Sequence, residues 1–467
     1  MSANPELAQA SLKAGPADPP TVSLREAFRF WLQLGLISFG GPAGQIAIMH
    51  RELVEKRRWV SEKRFLHALN FCMLLPGPEA QQLATYLGWL MHRTRGGIVA
   101  GVLFVLPSLV LLIALSWIYM AFGEQPLVAG LFYGIKPAVV AIVLHALHRI
   151  ASKCLGSPRR TPVPWAIASM SFIAVWALQL PFPLVVLSAM LTGVVLARLA
   201  PATLTRGGSH GSAIQTAHEP ALIDDDTATP PHARFKPSRL AAVLVVGAVL
   251  WLLPMAVLLA RYGWDGTLTQ MGWFFTKAAL LTFGGAYAVL PYVNQAAVEH
   301  YQWLSTAQMM DGLALGETTP GPLIIVVAFV GFVGGWGKQV LGPDALFLGA
   351  ALAACVATWF TFLPSFIFIL AGGPWVESTR GNPKLTAPLA AVTAAVVGVI
   401  ANLALFFIAA IAYPAGSNGL FNTRPDWAAL ALALAAAVAL WRLKWGVIPV
   451  IAASALAGLL WRTLGVA

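Results

Sequence analysis

Long apolar runs divide this sequence and constrain its fold more than any other feature. Runs of about 15 to 28 residues recur between Ala27 and Leu464, and those at 240–259 and 385–412 contain no charged residue. Each of these two is long enough to cross a hydrocarbon core of about 30 Å. A soluble fold would have to bury such helices on every face. The sequence therefore predicts an all-α polytopic membrane protein that is embedded in the lipid bilayer.

Charge is scarce and is confined to short segments. Only 10% of the 467 residues are charged and 58% are hydrophobic, although the formal net charge is +11. The Lys and Arg residues lie in loops between apolar runs, which is the positive-inside pattern of membrane proteins and not a nucleic-acid surface. The three cysteines, at positions 72, 154 and 355, are isolated in the sequence. We therefore predict no metal site, no cofactor and no nucleic-acid partner.

The chain contains two copies of one unit. Residues 38–78 align without a gap to 282–322, an offset of 244, with eleven identities in 41 positions. The shared residues include Phe-Gly-Gly, a Trp, a Glu and Pro-Gly-Pro, which chance alignment of Ala and Leu does not produce. Polar residues join the copies and favour a flexible linker. The predicted parts are a disordered tail (1–23), a first repeat (24–199), a polar linker (200–237), a connecting transmembrane helix (238–260) and a second repeat (265–467).

Loop charges predict that the two copies have opposite orientations in the membrane. Loop 51–64 carries six Lys or Arg residues, whereas its equivalent, 295–308, carries none. The segment 148–160 carries four, whereas 412–425 has only Arg424. Cation-rich loops stay in the cytoplasm, so equivalent loops are expected on opposite sides. The turn at Glu124 carries no Lys or Arg, whereas its counterpart near 372–384 carries Arg380 and Lys384, which agrees with opposite orientation. The same charge rule predicts that the amino terminus and the linker lie in the cytoplasm.

The number and lengths of the apolar segments support opposite orientation of the two copies. Four apolar segments of the first copy are too short to cross the membrane singly, and they form two consecutive pairs, 28–39 with 43–49 and 65–75 with 82–91. We interpret each pair as a hairpin or as a broken helix. The full spans expected after them are 97–121, 126–148, 163–180 and 182–199, then 344–371, 385–412, 427–441 and 445–461 in the second copy. The extra helix at 240–259 inverts the second copy.

Gly-Gly and Pro-Gly-Pro motifs interrupt the apolar runs at matching points of both copies. Irregular backbone within a bilayer is tolerated only where protein or an aqueous cavity covers it. The amino-terminal amides of half-helices carry partial positive charge and bind anions, as in inverted-repeat transporters. Proline at the start of the next helices leaves the amides of 79–81 and 323–325 free to point forward. We predict an anion site where four such helix tips meet; the alternative is that the motifs are hinges or packing kinks.

Amide and hydroxyl side chains concentrate at these breaks. They can donate hydrogen bonds to an oxyanion without the cost of a buried charge, or they can satisfy freed backbone groups. The predicted substrate-binding residues are Gly40, Gly41, Pro42, Gln45, Asn70, Pro76, Gly77, Pro78, Gln81, Gln82, Lys277, Gly284, Gly285, Thr318, Thr319, Pro320, Gly321 and Pro322.

Two carboxylates are candidates for proton coupling. Glu79 lies in the first turn of a half-helix, where its charge is stabilised and where it can act as a cap alone. Glu317 lies at the carboxyl end of a half-helix, where the dipole and burial both disfavour the ionised form, so we expect it to be the better proton carrier. Lys277, and less strongly Lys136, are intramembrane lysines and so functional candidates, with snorkelling as the alternative.

Four charged residues are predicted at the cytoplasmic mouth. They are Arg51, Glu52, Glu55 and Arg58, in the cation-rich loop of the first copy. Here they can gather an anion or simply anchor the loop.

The motif blocks resemble the chromate ion transporter superfamily, in its long two-domain form. The matching blocks are SFGGPAGQIAIMHRE from Ser38, RRW from Arg57, FLHALNFCMLLPGPEAQQLATYLGW from Phe65, TFGGAYAVLPYV from Thr282 and GETTPGPL from Gly316. The resemblance implies export of chromate, with sulfate as its structural mimic, through the bacterial inner membrane, and hence chromate resistance. By themselves, the residues favour only an inverted-repeat anion transporter.

Other functions remain open alternatives at this point. A transporter of sulfate or another anion fits the same features, and a lipid scramblase or flippase would also use re-entrant hairpins. A channel is less consistent with broken helices in inverted repeats. No enzyme constellation such as HExxH lies in the apolar segments, so no enzymatic activity is predicted. The sequence leaves energy coupling and oligomeric state undecided, a homodimer included.

Overall fold

The protein is built of helices. The computed structural model describes residues 22–39, 41–123, 125–159, 161–199, 221–224, 230, 232–283, 286–378, 386–413 and 425–464. The α-helices in these ranges are α1 Leu24–Ile37, α2 Gly41–His50, α3 Glu62–Leu74, α4 Glu79–Phe122, α5 Pro126–Cys154, α6 Pro162–Trp176, α7 Phe182–Leu199, α8 Pro237–Tyr262, α9 Thr267–Leu280, α10 Ala286–Asn294, α11 Thr306–Thr318, α12 Val326–Gly337, α13 Leu346–Ser378, α14 Thr386–Ala412, α15 Trp427–Trp441 and α16 Val447–Thr463.

Apolar helices long enough to cross a membrane confirm the polytopic all-α fold. By length and composition, five helical segments of the described chain qualify, and they are Glu79–Phe122, Pro126–Cys154, Pro237–Tyr262, Pro343–Pro374 and Ala390–Ala412. Four other helices at predicted spans, α6, α7, α15 and α16, are shorter, with 15, 18, 15 and 17 residues. Of these four, only α6 is shorter than its predicted span, 163–180. About 20 residues are needed to span the core. Helix α6 stops early because Gln179 adopts φ 49° and Leu180 N–H bonds back to Ala174 O at 3.0 Å.

The chain reverses direction within α4, at a break in the helix. Its dihedral angles leave the helical region at 92–93, and the arms on either side pack together. A Cβ at Gly88 would lie 2.6 Å from Ala100 Cβ. In the second copy α12 packs on α13 in the same way, and a Cβ at Gly335 would lie 2.6 Å from Ala353 Cβ. In both copies a half-helix therefore runs back beside the long helix that follows it.

The two copies agree in local backbone detail. A π-helical turn occupies Arg51–Lys56 in the first copy and Gln295–His300 in the second. Two residues after each turn, Arg58 and Gln302 adopt φ 52° and 51°. The next hydrogen bonds also match, from Trp59 N–H to Leu53 O and from Trp303 N–H to Ala297 O, both at 2.8 Å. The repeat thus extends from sequence to backbone conformation.

Packing between the copies is reciprocal. Helix α5 of the first copy packs against α15 and α16 of the second. Its equivalent, α14, packs against α6 and α7 of the first copy. Such exchange of equivalent contacts is the pattern of a two-fold interface within one chain. Among the described residues, the largest hydrophobic cluster includes residues of both copies, and a second cluster is formed almost entirely by the first copy.

Part of the polar linker packs against the first copy. Leu222 N–H bonds Arg58 O at 3.0 Å, and Ile223 N–H bonds Trp59 O at 3.1 Å, forming an isolated bridge beside loop 51–64. Ile223 and Ala233 are both buried. The composition of the linker predicts flexibility, whereas its described part packs because these small and apolar side chains find a partner surface. The tail to residue 21 and most of 200–237 lie outside the described residues.

Candidate functional site

The helix breaks of the two copies are joined by a reciprocal pair of backbone hydrogen bonds. Gly77 N–H donates to Thr282 O at 2.7 Å, and Gly321 N–H donates to Ser38 O at 2.8 Å. Donors and acceptors are repeat equivalents, 244 positions apart. The Pro-Gly-Pro break of each copy therefore lies against the end of the first half-helix of the other copy.

Side-chain hydroxyls end the first half-helix of each copy in the same way. Ser38 Oγ donates to Leu34 O at 2.6 Å, and Thr282 Oγ1 donates to Ala278 O at 2.7 Å. These bonds occupy carbonyls of the last helical turn, while the Ser38 and Thr282 carbonyls turn toward the other copy. The hydroxyl residues before the Gly-Gly motifs thus have a local structural role.

Only glycine fits the centre of each Pro-Gly-Pro break. Gly77 and Gly321 adopt φ +127° and +106°, which L side chains rarely adopt. A Cβ at Gly77 would contact Ser365 Oγ, and one at Gly321 would contact Ser108 Oγ. Close approach of a serine from a neighbouring long helix therefore adds a second requirement for glycine.

These two serines were missed by the sequence analysis. Ser108 Oγ donates a hydrogen bond to Pro320 O, across the two copies. Ser365 Oγ is buried without a hydrogen-bond partner among the described residues. Both follow a leucine and a proline, in Leu-Pro-Ser triplets at 106–108 and 363–365. The signal was present at an offset of 257, which an ungapped comparison at 244 does not detect.

Open space lies beside Gly41, the first residue of α2. Gly41 is itself buried and adopts φ +68°, yet a Cβ built on it would meet no atom of the described chain within 4 Å. This is the kind of position where a ligand can approach the backbone closely. Pro42 follows as the second residue of α2. Gly40, Gly284 and Gly285, which are also predicted binding residues, lie outside the described residues.

Three glutamines surround the breaks and hold nearby groups. Gln45 Nε2 donates to Gly321 O and, at 3.4 Å, to Ser38 O. Gln81 Nε2 donates to Thr85 Oγ1 at 3.0 Å, and Gln82 Nε2 donates to Pro76 O at 2.8 Å. Within the described chain, the side-chain oxygen of each glutamine is buried and has no hydrogen-bond partner. Each amide therefore retains hydrogen-bonding capacity beyond its structural contacts.

The amino-terminal amides differ between the copies. Pro78 is the N-cap of α4, so the amides of Glu79, Ala80 and Gln81 lack an intrahelical acceptor. In the second copy, Pro322 is followed by a 3₁₀ turn, Leu323–Ile325, before α12 begins. There the Ile325 N–H donates to Pro322 O at 2.8 Å. The expectation of three free amides in the second copy is therefore wrong, because the tighter turn satisfies one of them.

Several predicted site residues have other surroundings. Thr318 Oγ1 donates to Leu315 O at 3.0 Å and Thr319 Oγ1 to Gly316 O at 3.1 Å, so both hydroxyls satisfy their own helix. Asn70 is exposed on α3. Lys277 lies on the outward side of α9, with its Nζ 5.8 Å from the centre of the Trp273 ring. In the described chain, no hydrogen bond or ion pair joins Lys277 to the helix breaks.

Glu317 is buried next to the breaks and is only 7% exposed. It accepts a short hydrogen bond from the Tyr287 hydroxyl, on α10. The Arg149 guanidinium, from α5 of the first copy, lies 6.0 Å from the centre of the Tyr287 ring. Sequence reasoning selected Glu317 but missed both neighbours, because they come from other elements. Glu79, the other carboxylate candidate, is half-buried at the start of α4.

The four residues predicted at the mouth lie in or beside the first π-helical turn. Glu52 pairs with Lys56 at 2.7 Å and with Arg51 at 3.7 Å, and the hydrogen bond from Lys56 lowers the pKa of Glu52. Glu55 pairs with His50 at 3.1 Å. The carbonyl of Arg58 accepts the bond from the linker. These contacts favour the anchoring role of the loop over the gathering of anions.

Comparisons with known proteins agree with this arrangement. The family model described as chromate transporter matches residues 25–194 and 269–459, which includes both copies. The chain is 33% identical to the chromate transport protein of Pseudomonas aeruginosa over 390 residues, covering 82% of this chain and 81% of that protein. It is 30% identical to the chromate transport protein of Cupriavidus metallidurans over 385 residues, covering 82% of each. No solved structure matches the chain. These relatives are transport proteins and not enzymes, and the chain is a multi-pass membrane protein that belongs to the chromate transporter family.

Proposed function

We propose that this protein exports chromate, or a similar tetrahedral oxyanion, from the bacterial cytoplasm and so confers chromate resistance. The observation that carries the proposal is the reciprocal contact of the helix breaks, Gly77 with Thr282 and Gly321 with Ser38, in a chain of this family. The direction of transport and the resistance follow from the resemblance alone. Sulfate has the same shape and charge and is the natural competitor.

The chemistry of the breaks suits an oxyanion. Free amides at the start of α4 supply aligned donors and the positive end of a helix dipole. Gln81 Nε2 and Gln82 Nε2 each donate one hydrogen bond and carry two N–H groups, so each can donate a second one to an anion. The Ser365 hydroxyl, which has no partner among the described residues, can add another neutral donor. Such donors bind a dianion without a buried lysine, and the space beside Gly41 gives it access to the backbone. The anion is thus proposed to sit between the copies, at the centre of the two-fold pattern.

The order of contacts along the helices supports opposite orientation of the copies. Tyr133, early in α5, bonds Asp426 at the start of α15, and His145, late in α5, packs on Trp441 at the end of α15. Helix α5 therefore runs parallel to α15. Because α15 follows α14, and Asp426 N–H bonds Ala412 O at 2.9 Å, α14 is expected to run opposite to its equivalent, α5. Inverted repeats that share a central site suit alternating access.

We propose the inner membrane as the location, with the amino terminus and linker in the cytoplasm. The six cations of loop 51–64 favour the cytoplasm for this loop, and the packed linker residues lie against it. Glu317 is proposed to carry the coupling proton, since its buried carboxyl is held by Tyr287 beside the breaks.

Everted membrane vesicles test the function directly. Vesicles that contain the protein should take up radiolabelled chromate when a proton gradient or a membrane potential is imposed, and excess sulfate should compete. Vesicles without the protein give the background. Absence of protein-dependent uptake, or loss of lipid asymmetry in protein-only liposomes without anion flux, would reject anion export and favour a scramblase.

A further inference from the structure

A polar cavity lies away from the helix breaks. It has a volume of about 320 Å³ and is lined by residues of α4, α5, α11 and α16, among them Tyr119, Lys136, Gln308, Asp311 and Arg462. None of the described residues that line it belongs to the Gly-Gly or Pro-Gly-Pro motifs. The cavity therefore needs an explanation of its own.

An incompletely paired carboxylate forms the inner wall of this cavity. Asp311 on α11 is only 2% exposed. Its Oδ2 accepts a hydrogen bond from the Tyr119 hydroxyl at 2.9 Å and lies 3.6 Å from Lys136 Nζ. Its Oδ1 is buried and, within the described chain, has no hydrogen-bond partner. A buried carboxylate is costly unless it is well paired, so this ion pair is not an optimised structural bridge.

Lys136 connects the carboxylate to the cavity. Its side chain is 30% exposed, and an ammonium has three N–H donors. At 3.6 Å from Asp311, the ammonium can donate to a second acceptor in the cavity and keep its attraction to the carboxylate. A second cation, the Arg462 guanidinium, is exposed at the rim, 5.5 Å from the centre of the Tyr133 ring. Tyr133 in turn bonds Asp426, which caps α15.

We propose that this cavity is an oxyanion-binding subsite at the outer end of the transport route, where Lys136 is shared between Asp311 and the departing anion. The inference rests on the proposed function of anion export. Among the described lining residues, two cations face the cavity and one carboxylate lies behind it, so this part of the cavity favours an anion. The cation-free loop 295–308 ends in the first turn of α11, which contains the lining residue Gln308. Loops without cations are expected on the outer side of the membrane, so we assign the cavity to that side.

Asp311 gives this subsite a means of release. An anion held only by Lys136 and Arg462 would leave slowly, whereas a resident carboxylate competes for the ammonium and weakens binding. Weak binding at the exit favours net conduction, because a bound ion must also be able to leave. The repeat equivalent of Asp311 is His67, so the carboxylate belongs to the second copy alone. The two faces of the protein are therefore expected to bind the anion differently.

The test measures how lumenal anion affects uptake into everted vesicles, where the lumen contacts the outer face. Vesicles are loaded with increasing concentrations of chromate, and the initial rate of uptake is measured for each variant. The quantity compared is the lumenal chromate concentration that produces half of the maximal change in this rate. Lys136→Gln should raise this concentration about tenfold, because one charge-assisted contact is lost. Asp311→Asn should lower it by at least about threefold, because the competitor is gone.

Conservative and distant variants separate binding from folding. Lys136→Arg keeps the charge and should stay within about twofold of the wild type. Lys338→Gln removes an exposed cation at the end of α12, outside the cavity, and should have no effect. If the wild type transports chromate and Lys136→Gln leaves the lumenal dependence unchanged, the subsite is wrong while the function stands. Absence of chromate uptake by the wild type overturns both proposals.

Discussion

Substitution of Gly321 tests whether the two copies depend on their reciprocal contact. In Gly321→Ala, the new Cβ would lie 3.0 Å from Ser108 Cβ and 3.3 Å from Phe104 O, and closer still to Ser108 Oγ. Overpacking of this kind costs about 1–3 kcal/mol. The φ of +106° is strained for alanine and adds about 1–3 kcal/mol. We expect a loss of stability of about 2–6 kcal/mol in total, together with displacement of the N–H that bonds Ser38.

The assay is thermal unfolding of the purified protein in detergent at one fixed scan rate, with chromate flux measured in parallel. Gly337→Ala is the matched control, because Gly337 is helical and a Cβ there would meet nothing within 4 Å. Ser108→Ala in the Gly321→Ala background removes the closest clash but not the strain, and should recover part of the loss. A midpoint for Gly321→Ala equal to that of Gly337→Ala would refute the reasoning.

Three further predictions concern orientation, backbone approach and proton coupling. Lys63 and Ala307 are repeat equivalents and both are exposed. In a background without native cysteines, Lys63→Cys and Ala307→Cys should react with membrane-impermeant reagents from opposite sides of the membrane. Labelling of both from the same side would reject the inverted-repeat model. Gly41→Val strains the backbone by about 1–2 kcal/mol and fills the space beside it, so chromate transport should stop while the protein stays in the membrane. Normal chromate resistance of this variant would mean that the Gly-Gly motif serves helix packing only. Glu317→Gln should bind anion but lose flux driven by a pH gradient, with Glu79→Gln milder; unchanged pH dependence would make Glu317 structural.

The sequence alone determined the all-α membrane fold and the two copies, because apolar length and motif recurrence are local properties of the chain. It also located the backbone breaks, since Gly-Gly and Pro-Gly-Pro limit the conformations that any fold allows there. Glu317 could be selected from its position at a helix end. The family followed from blocks of residues around these breaks, and the family comparison confirmed it. The opposite orientation of the copies and the anion site at the breaks stay predictions.

Only the tertiary structure decided which groups meet. The bonds from Gly77 to Thr282 and from Gly321 to Ser38 join residues about 200 or more positions apart, at distances that no local pattern encodes. Lys277 is the opposite case: it was chosen because charge is rare in apolar helices, but which side of α9 faces outward depends on packing against α13. Asp311 was missed because its importance comes from Tyr119 and Lys136, on two helices of the other copy. A sequence records which polar groups are available, whereas burial and pairing are set by the elements that the fold brings around them.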